Sequence, residues 1–390
     1  MKKNKYLYTF SLSLLLVFLI TIAAGAGSSS TVNIESIDSY YASPAINKHQ
    51  TTYNLDFTGY GGIQNNGVDF DYLNQHLNES DKNDILSNLG NDGLILMGTG
   101  FQGGKFNYKN FNISAGLNEK GVIGISEDII EVILKGNKLG QEYKFNDTRG
   151  DLAVYSDIGV GYSRSLPQLK NKLKAEKVQI GGTFHYLSGG FAKIKGEGSF
   201  NLNYEDTISG DGKVRAEYAE TGTGYSFDLG LGVQRNDQLS WSTSLLNIGS
   251  IKGEDPRYYE YEYDPETDSF EETTDKPLSE LKYNLPLTWK SGAKYNWKKN
   301  TKLFGSYSLS SYDSGYNDHQ LAAGVKYNKF KFLPLKGGVT YSSLQGGLIF
   351  SAGVSLKLGI FKTDIGFSDI RALFEKGKNM SVSVNTGFSF

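Results

Sequence analysis

The 390-residue chain contains no cysteine, only 7 prolines and only 4 histidines. Without cysteine there is no disulfide, no thiolate-bound zinc, no thiol nucleophile and no lipid-modified N-terminal cysteine. The few histidines are scattered along the sequence, which argues against a His-rich metal site. We therefore expect neither a metal ion nor a cofactor.

An excess of charge of one sign is also missing. Lys and Arg number 40 against 42 Asp and Glu, a formal net charge of −2, so there is no basic face and we expect no nucleic-acid partner. The mean hydropathy of −0.38 excludes a membrane protein built from many apolar helices. The 47 glycines, beside so few prolines, are not the composition of a linker or of collagen.

Residues 1–26 have the pattern of a secretory signal peptide. Three lysines precede an apolar stretch at residues 12–22, and the small residues Ala24, Gly25 and Ala26 fit a cleavage site. An uncleaved N-terminal anchor is the alternative. No later stretch reaches the ~18 apolar residues that a membrane-spanning helix needs. We expect a mature protein that is secreted, periplasmic or inserted into a membrane as strands.

Apolar and polar residues alternate along most of the remaining chain. In the last ten residues one face carries Val382, Val384, Thr386, Phe388 and Phe390. Successive side chains of a strand point to opposite faces, so each such run has one apolar and one polar face. A soluble sandwich buries the apolar face against a second sheet, whereas a transmembrane barrel turns it towards lipid.

Run length and side-chain placement favour the barrel. The runs are about 9–13 residues long, as a tilted strand needs to cross a bilayer, whereas sandwich strands average nearer 5–6. Aromatic residues such as Tyr186, Trp289 and Trp297 lie near run ends, where an interfacial girdle belongs. Fifteen runs lie between residues 94 and 390, of which 94–101 or 213–219 is too weak to span. We predict an all-β transmembrane antiparallel β-barrel of about 14 strands, with 12 or 16 as alternatives.

Two regions depart from the alternation and predict short helices. Residues 27–93 are interpreted as an N-terminal plug or hatch with helices within 68–90, followed by the barrel at 94–390. Residues 126–136 predict an inserted helix whose apolar residues lie nearly all round, so we expect it to be buried. Such helices plug the lumen or cap the periplasmic end of the barrel, and they either gate it or merely fill space.

Residues 254–275 form an acidic stretch with interleaved tyrosines between two strands. The stretch contains ten carboxylates and a single cation, Arg257. This composition between two strands predicts a long extracellular loop. A solvated loop that resists aggregation is one interpretation. A calcium site with alternate carboxylates at Asp264, Glu266 and Asp268 is a second, although the Gly of a calcium loop is missing. Contact with a protein partner is a third.

No catalytic or nucleotide-binding motif occurs in a fitting context. The polar strand faces carry charged residues that predict a network in the lumen, formed by Asp157, His185, Asp228, Lys290 and Lys294. A nucleophile–base set of His185 with Asp157 and Ser188 is the alternative. Because a luminal histidine more often joins a polar network, we expect no enzyme and assign no catalytic residue.

Several short segments resemble a known family of outer-membrane barrels. They are Ser43-Pro44-Ala45, the strand and helix at 111–137, Leu285-Pro286 before the strand at 290–295, and the strands from Ala323 to Asp364. Together they resemble the long-chain fatty-acid transporter (FadL-like) superfamily, in particular its PorV-like and uncharacterised branch. Phe388 and the terminal Phe390 resemble the assembly signal read by the barrel-insertion machinery. The resemblance implies 14 strands and makes Ser43 to Ala45 a candidate hatch motif.

Two functions follow from this resemblance. The first is passive transport of hydrophobic or amphipathic small molecules. The second is a non-transport assembly or secretion component, as in the PorV-like relatives, that binds a protein partner at 254–275. In both cases we expect membrane lipids as partners, and a location in the outer membrane of a bacterium with two membranes after signal-peptide cleavage.

Overall fold

The computed structural model describes residues 53–90, 92–136, 138–202, 208–210, 212–264, 269–374 and 377–389. The signal peptide at 1–26, the hatch motif Ser43 to Ala45 and the terminal Phe390 lie outside these residues. Most of the proposed calcium loop, at 265–268, also lies outside them. All four therefore stay predictions.

The described residues form 21 strands. They are β1 (Asn54–Asn65), β2 (Leu94–Tyr108), β3 (Phe111–Ile125), β4 (Glu142–Lys144), β5 (Arg149–Ser165), β6 (Lys177–Glu197), β7 (Ser199–Leu202), β8 (Ile208–Gly210), β9 (Lys213–Ala219), β10 (Thr221–Gln234), β11 (Leu239–Glu254), β12 (Arg257–Asp264), β13 (Ser269–Pro277), β14 (Lys282–Asn284), β15 (Leu287–Lys298), β16 (Thr301–Ser311), β17 (Asn317–Tyr327), β18 (Leu335–Ser342), β19 (Gly347–Leu358), β20 (Phe361–Ser368) and β21 (Asn379–Ser389).

Short helices connect some of these strands. The α-helices are α1 (Glu79–Leu89), α2 (Glu127–Lys135) and α3 (Pro167–Lys170), and two 3-10 helices cover Phe70–Asn74 and Ile370–Phe374. In the part of the chain that the structure describes, no helix has the length and apolar character to cross a membrane.

Fourteen of the strands close into one antiparallel barrel. The ring runs β1, β2, β3, β5, β6, β10, β11, β15, β16, β17, β18, β19, β20, β21 and back to β1. The closing pair β21–β1 has a full ladder, from Asn54 opposite Ser389 to Gln64 opposite Asn379. The predicted barrel of 14 strands is confirmed.

The identity of the strands differs from the prediction at three places. Residues 54–65 belong to the barrel as β1, so the boundary expected at 93/94 is wrong. Of the run at 197–204, residues 199–202 lie outside the ring, because β7 joins a small sheet with β4 and β8. The run at 213–219 also lies outside it, because β9 diverges to pair with β12. The alternation missed β1 because glycines at 59 and 61 interrupt its apolar face.

The two ends of the barrel differ in loop length. One end carries the tight turns at 109–110, 299–300 and 359–360 and the last residue of β21, whereas the other carries the long segments 66–93 and 126–148. Barrels of the outer membrane have short periplasmic turns and long extracellular loops. The long-loop end is therefore extracellular, and α1 and α2 lie there, which excludes the periplasmic cap.

The helices α1 and α2 pack against the outer side of the wall. Leu89 of α1 and Ile130 of α2 form a cluster with Leu94 of β2, and Leu94 alternates with inward-facing Ile95. Neither helix therefore fills the lumen. The expected all-round burial of α2 is also wrong, since Ile133 is 69% exposed.

The acidic stretch 254–275 is a β-hairpin rather than an irregular loop. Strand β12 pairs with β9 on one side and with β13 on the other, which continues the wall beyond the barrel. Its glutamates meet cations of β9, with Glu260 Oε2 2.7 Å from Arg215 Nε. Sequence reasoning found only Arg257 as a cation for these acids. The cations of β9 come close only through the pairing of β9 with β12, which is a tertiary feature.

A belt of apolar side chains covers the outside of the barrel. Trp289 packs on Tyr307 near its upper edge, and Trp297 lies eight residues further along the same strand. Eight residues span roughly 27 Å along a strand, which a tilt of about 40° shortens to roughly 20 Å, close to the apolar band of such barrels. Phe388 packs on Phe361 at the periplasmic edge, 5.5 Å between ring centroids. The barrel is therefore a transmembrane one.

We predict that arginine at Val384 lowers the free energy of unfolding by roughly 2–4 kcal/mol, because this residue lies on the lipid-facing side near the middle of the belt. Arginine at the neighbouring Asn385, which faces the lumen and donates to Thr58 Oγ1, costs less. Urea unfolding in lipid vesicles measures both values. Equal losses for the two variants would contradict the assignment of the faces.

Candidate functional site in the barrel lumen

The inner wall of the barrel is layered. Inward positions recur every second residue, so neighbouring strands in register place side chains at matching heights. From the extracellular end downwards, β5 contributes Asp151, Ala153, Tyr155 and Asp157. In the same direction β6 contributes Lys193, Phe191, Leu187 and His185. A charged layer, an apolar layer and a polar layer follow one another into the lumen.

The apolar layer fills the extracellular half of the lumen. Leu187, Ile251 and Tyr283 are completely buried, and they pack with Tyr155 and Phe191. A second cluster lies towards β2 and β3, formed by Ile95, Met97, Val122, Tyr316 and Leu344. A water-filled porin has a polar interior. This interior is packed like a protein core instead.

The polar layer centres on His185. Its Nδ1 lies 2.8 Å from Asp157 Oδ1, and its Nε2 lies 3.4 Å from Asp228 Oδ2. Asp228 also accepts from the backbone N–H of Asn247 at 2.8 Å. Asn247 has a φ of 61° at the register shift between β10 and β11. This irregularity directs the backbone N–H of Asn247 towards the carboxylate of Asp228. Lys120 of β3 is within electrostatic range of both carboxylates.

The structure brings together three of the five residues predicted for the network, Asp157, His185 and Asp228. Lys290 and Lys294 face the lumen from β15, with β11 between that strand and β10. Sequence reasoning missed Lys120, although its even position in β3 shares the inner face with Asn118 and Val122. The alternation in this strand was the signal that could have found it.

The geometry does not assemble a nucleophile–base set. Ser188 is three residues from His185 on an unbroken strand, so its side chain lies on the opposite face of the wall. Both ring nitrogens of His185 face carboxylates. Within the described part of the chain, no group of three or more His, Asp or Glu is placed to hold a metal ion.

Lysines dominate the inner face of the strands opposite the histidine. They are Lys290 and Lys294 of β15, Lys326 of β17, Lys336 of β18, Lys357 of β19 and Lys362 of β20. Asp364 forms ion pairs with Lys336, at 3.2 Å, and with Lys362. We call this surface the lysine wall. It gives the periplasmic half of the lumen a cationic side.

At one joint of the barrel wall the hydrogen-bond ladder is reduced to a single residue pair. Strands β1 and β2, both wholly described, share a single ladder pair, Asn65 opposite Leu96. Each of the other thirteen neighbouring pairs in the ring has seven or more. Below that pair the strands stay in contact through side chains, such as Tyr60 on Phe101 with ring centroids 5.4 Å apart. We call this joint the β1–β2 seam.

The extracellular hairpin shows how the charges outside the membrane are balanced. Tyr258 Oη donates to Glu260 Oε2 at 2.5 Å, and Arg215 Nε donates to the same oxygen at 2.7 Å. These two hydrogen bonds hold the pKa of the Glu260 carboxyl below its usual value. Burial, with the bond to Glu260, raises the pKa of Tyr258 to about 12. Glu260 therefore stays ionised and Tyr258 stays protonated at neutral pH.

The closed wall, the lipid-facing belt and the layered lumen define a transmembrane β-barrel of the outer-membrane type. A family model described as "Family of unknown function (DUF5723)" matches residues 23–220, slightly more than half of the chain, and the protein belongs to this family. No curated protein matches the chain.

Solved structures resemble the chain at low identity. The Ralstonia pickettii toluene transporter TbuX is 12% identical, with 90% of this chain and 92% of that chain covered and a TM-score of 0.47. The Pseudomonas putida toluene transporter TodX is 9% identical, with 94% and 95% covered and a TM-score of 0.43. A Pseudomonas aeruginosa FadL homologue is 12% identical, with 94% and 95% covered and a TM-score of 0.47. These are structures to which the chain is similar, and the likeness says nothing about cargo.

We predict that His185→Ala lowers the free energy of unfolding by about 1–3 kcal/mol, because it leaves the half-buried Asp157 and Asp228 without the ring between them. The loss shrinks when Asp228→Asn is combined with His185→Ala, since one of the facing charges is then gone. Urea unfolding of the four members of this double-mutant cycle measures the coupling. Strictly additive effects would show that the three side chains do not act as a unit.

Proposed function

We propose that the protein carries hydrophobic or amphipathic small molecules passively across the outer membrane, and that they leave the lumen sideways through the β1–β2 seam. The seam carries the proposal, because it is the joint of the ring with a single ladder pair. Pairing holds every other joint along seven or more residue pairs, so opening the wall costs least at the seam.

The apolar layer supports this route. Ile95 and Met97, which belong to it, lie on β2 and therefore border the seam. A hydrated polar solute loses its hydrogen bonds to water in such a layer, whereas an apolar one does not. An amphipathic solute has a second contact below, where the lysine wall attracts an anionic group.

Export and assembly complete the proposal. The signal peptide at 1–26 directs export to the periplasm and is then removed, and Phe388 with Phe390 directs the chain to the barrel-insertion machinery. Ser43 to Ala45 remain the candidate hatch motif. Ligands of this class are lipid-soluble, so the surrounding bilayer accepts them directly.

The absence of native cysteine allows a direct test of the seam. We predict that oxidising the pair Phe57→Cys and Gly104→Cys reduces entry of a hydrophobic fluorescent tracer into proteoliposomes to the level of empty vesicles. Phe57 faces Gly104 across the seam, with ring atoms 3.4 Å from the position of a Cβ at Gly104. Reduction of the disulfide restores entry, because the strands can separate again.

The matched control joins the same residue to its other neighbour. The pair Phe57→Cys and Thr386→Cys lies opposite in the ladder of β1 with β21, a joint that the proposal keeps closed. Its oxidation leaves tracer entry unchanged. Equal entry through the oxidised and reduced seam pair would rule the lateral route out, and no entry above empty vesicles in either state would rule transport out.

A non-transport role is the second candidate, supported by the hairpin β12–β13. It projects beyond the barrel, and its outer strand β13 has an exposed edge. We predict that a photo-crosslinker at Glu272 captures one defined protein in intact cells if the hairpin binds a partner. The same group at Lys299, in a periplasmic turn, serves as the control. Capture at neither position, together with tracer transport, would favour the first function.

A further inference from the structure

A cavity of about 530 Å³ opens at the extracellular mouth of the barrel. Its polar lining comes from the upper ends of β5 and β6, from β9 and β12, and from the turn between β16 and β17. The charged residues of the lining include Arg149, Asp151, Lys193, Lys195, Arg215 and Glu217. We call it the mouth cavity. It lies above the apolar layer and shares no lining residue with it.

Strand register sorts the charges of the mouth cavity into two rows. Arg149 lies opposite Lys195, and Lys195 opposite Arg215, which makes the upper row cationic on three neighbouring strands. Two residues deeper, Lys193 lies between two carboxylates, opposite Asp151 on β5 and Glu217 on β9. The rows are roughly 7 Å apart, the rise of two strand residues. The cavity is therefore cationic at the rim and rich in carboxylate below it.

Asp151 is buried in the wall of the cavity with an unused acceptor. It is 2% exposed, and its Oδ2 accepts from the backbone N–H of Ser314 at 2.8 Å. Its Oδ1 is buried and has no hydrogen-bond partner, and the same holds for the hydroxyl of Ser314 beside it. A buried carboxylate oxygen without a donor is costly. It gains most from a ligand that brings a charged donor.

Neighbouring cations do not already neutralise the site. Lys193 pairs with Asp313 at 2.7 Å, and Lys195 and Arg215 both pair with Glu197 at 2.7 Å. Among the described residues, neither Glu217 nor Arg149 forms an ion pair. Arg149 stacks instead on Tyr316, with its guanidinium carbon 4.6 Å from the ring centroid. One guanidinium at the rim and two carboxylates below it are left to face a ligand.

We infer that the mouth cavity binds a zwitterionic small molecule, whose ammonium group lies against the carboxylates of Asp151 and Glu217 on the cavity side and whose anionic group lies against Arg149. An ammonium group supplies the donor that Asp151 Oδ1 lacks. A planar guanidinium binds a carboxylate or a phosphate through paired hydrogen bonds. Short peptides and the ethanolamine headgroups of lipids share this chemistry, because both carry a primary ammonium and an anionic group. The inference goes beyond the transport proposal and does not depend on it, because binding is measured on the purified barrel.

Isothermal titration of the full chain in an uncharged maltoside detergent tests the site. The probes are trialanine, N-acetyl-trialanine, trialanine amide and phosphoethanolamine. We expect trialanine to bind saturably. Blocking either terminus of the peptide should lower its affinity at least about tenfold. In Asp151→Asn the effect of acetylation disappears, because the partner of the ammonium is gone. In Arg149→Gln the effect of amidation disappears while that of acetylation remains.

Controls separate binding from folding. Glu280→Gln removes a carboxylate that is 62% exposed and pairs with Lys252 away from the cavity. It therefore leaves the effects of acetylation and of amidation on trialanine binding unchanged. Heat-modifiable gel mobility reports barrel folding for each variant, and Glu217→Gln replaces Asp151→Asn if the latter fails to fold. Tighter binding of phosphoethanolamine than of trialanine, with the same dependence on Asp151, assigns the site to lipid headgroups. No saturable binding of either zwitterion, or unchanged discrimination in folded Asp151→Asn and Arg149→Gln, would overturn the inference.

Discussion

The structure depends on the need to satisfy backbone hydrogen bonds inside a bilayer. Lipid offers no donor or acceptor, so every strand that crosses must pair on both sides and the sheet must close on itself. This explains why β1 and β21 join through a full ladder although the residues they contain are more than 300 positions apart. For the same reason the β1–β2 seam, with its single ladder pair, is the joint at which the wall is held by the fewest backbone hydrogen bonds.

Closure with regular alternation also organises the lumen. Because every second residue points inward, a charged, an apolar and a polar residue on one strand become three levels, and paired strands complete each level. The level of His185 brings carboxylates of β5 and β10 to the same ring. The apolar level above it separates this network from the charged mouth. The chemistry at each end of the lumen is therefore set by which residues occupy the inward positions of the same strands.

Sequence reasoning recovered the barrel and its strand number, but partly through compensating errors. Alternation identifies a strand only where its outer face is rich in large apolar residues, and glycines on β1 removed that contrast. Conversely, 213–219 shows a weak alternation, yet β9 leaves the ring to pair with β12. Asn78 begins α1 with a capping box, in which its side chain accepts from the backbone N–H of Asp81.

The sequence by itself determined the outward face of the wall, the antiparallel barrel class and the inward position of His185, Asp157 and Asp228, because a period of two is a local property of the chain. Only the tertiary structure decided which inward residues meet, where α1 and α2 lie, and that Glu260 and Glu262 of the acidic hairpin pair with cations of β9. It alone placed Asp151 and Glu217 on either side of Lys193. These features depend on register between strands distant in sequence, and register is set by closure of the whole sheet.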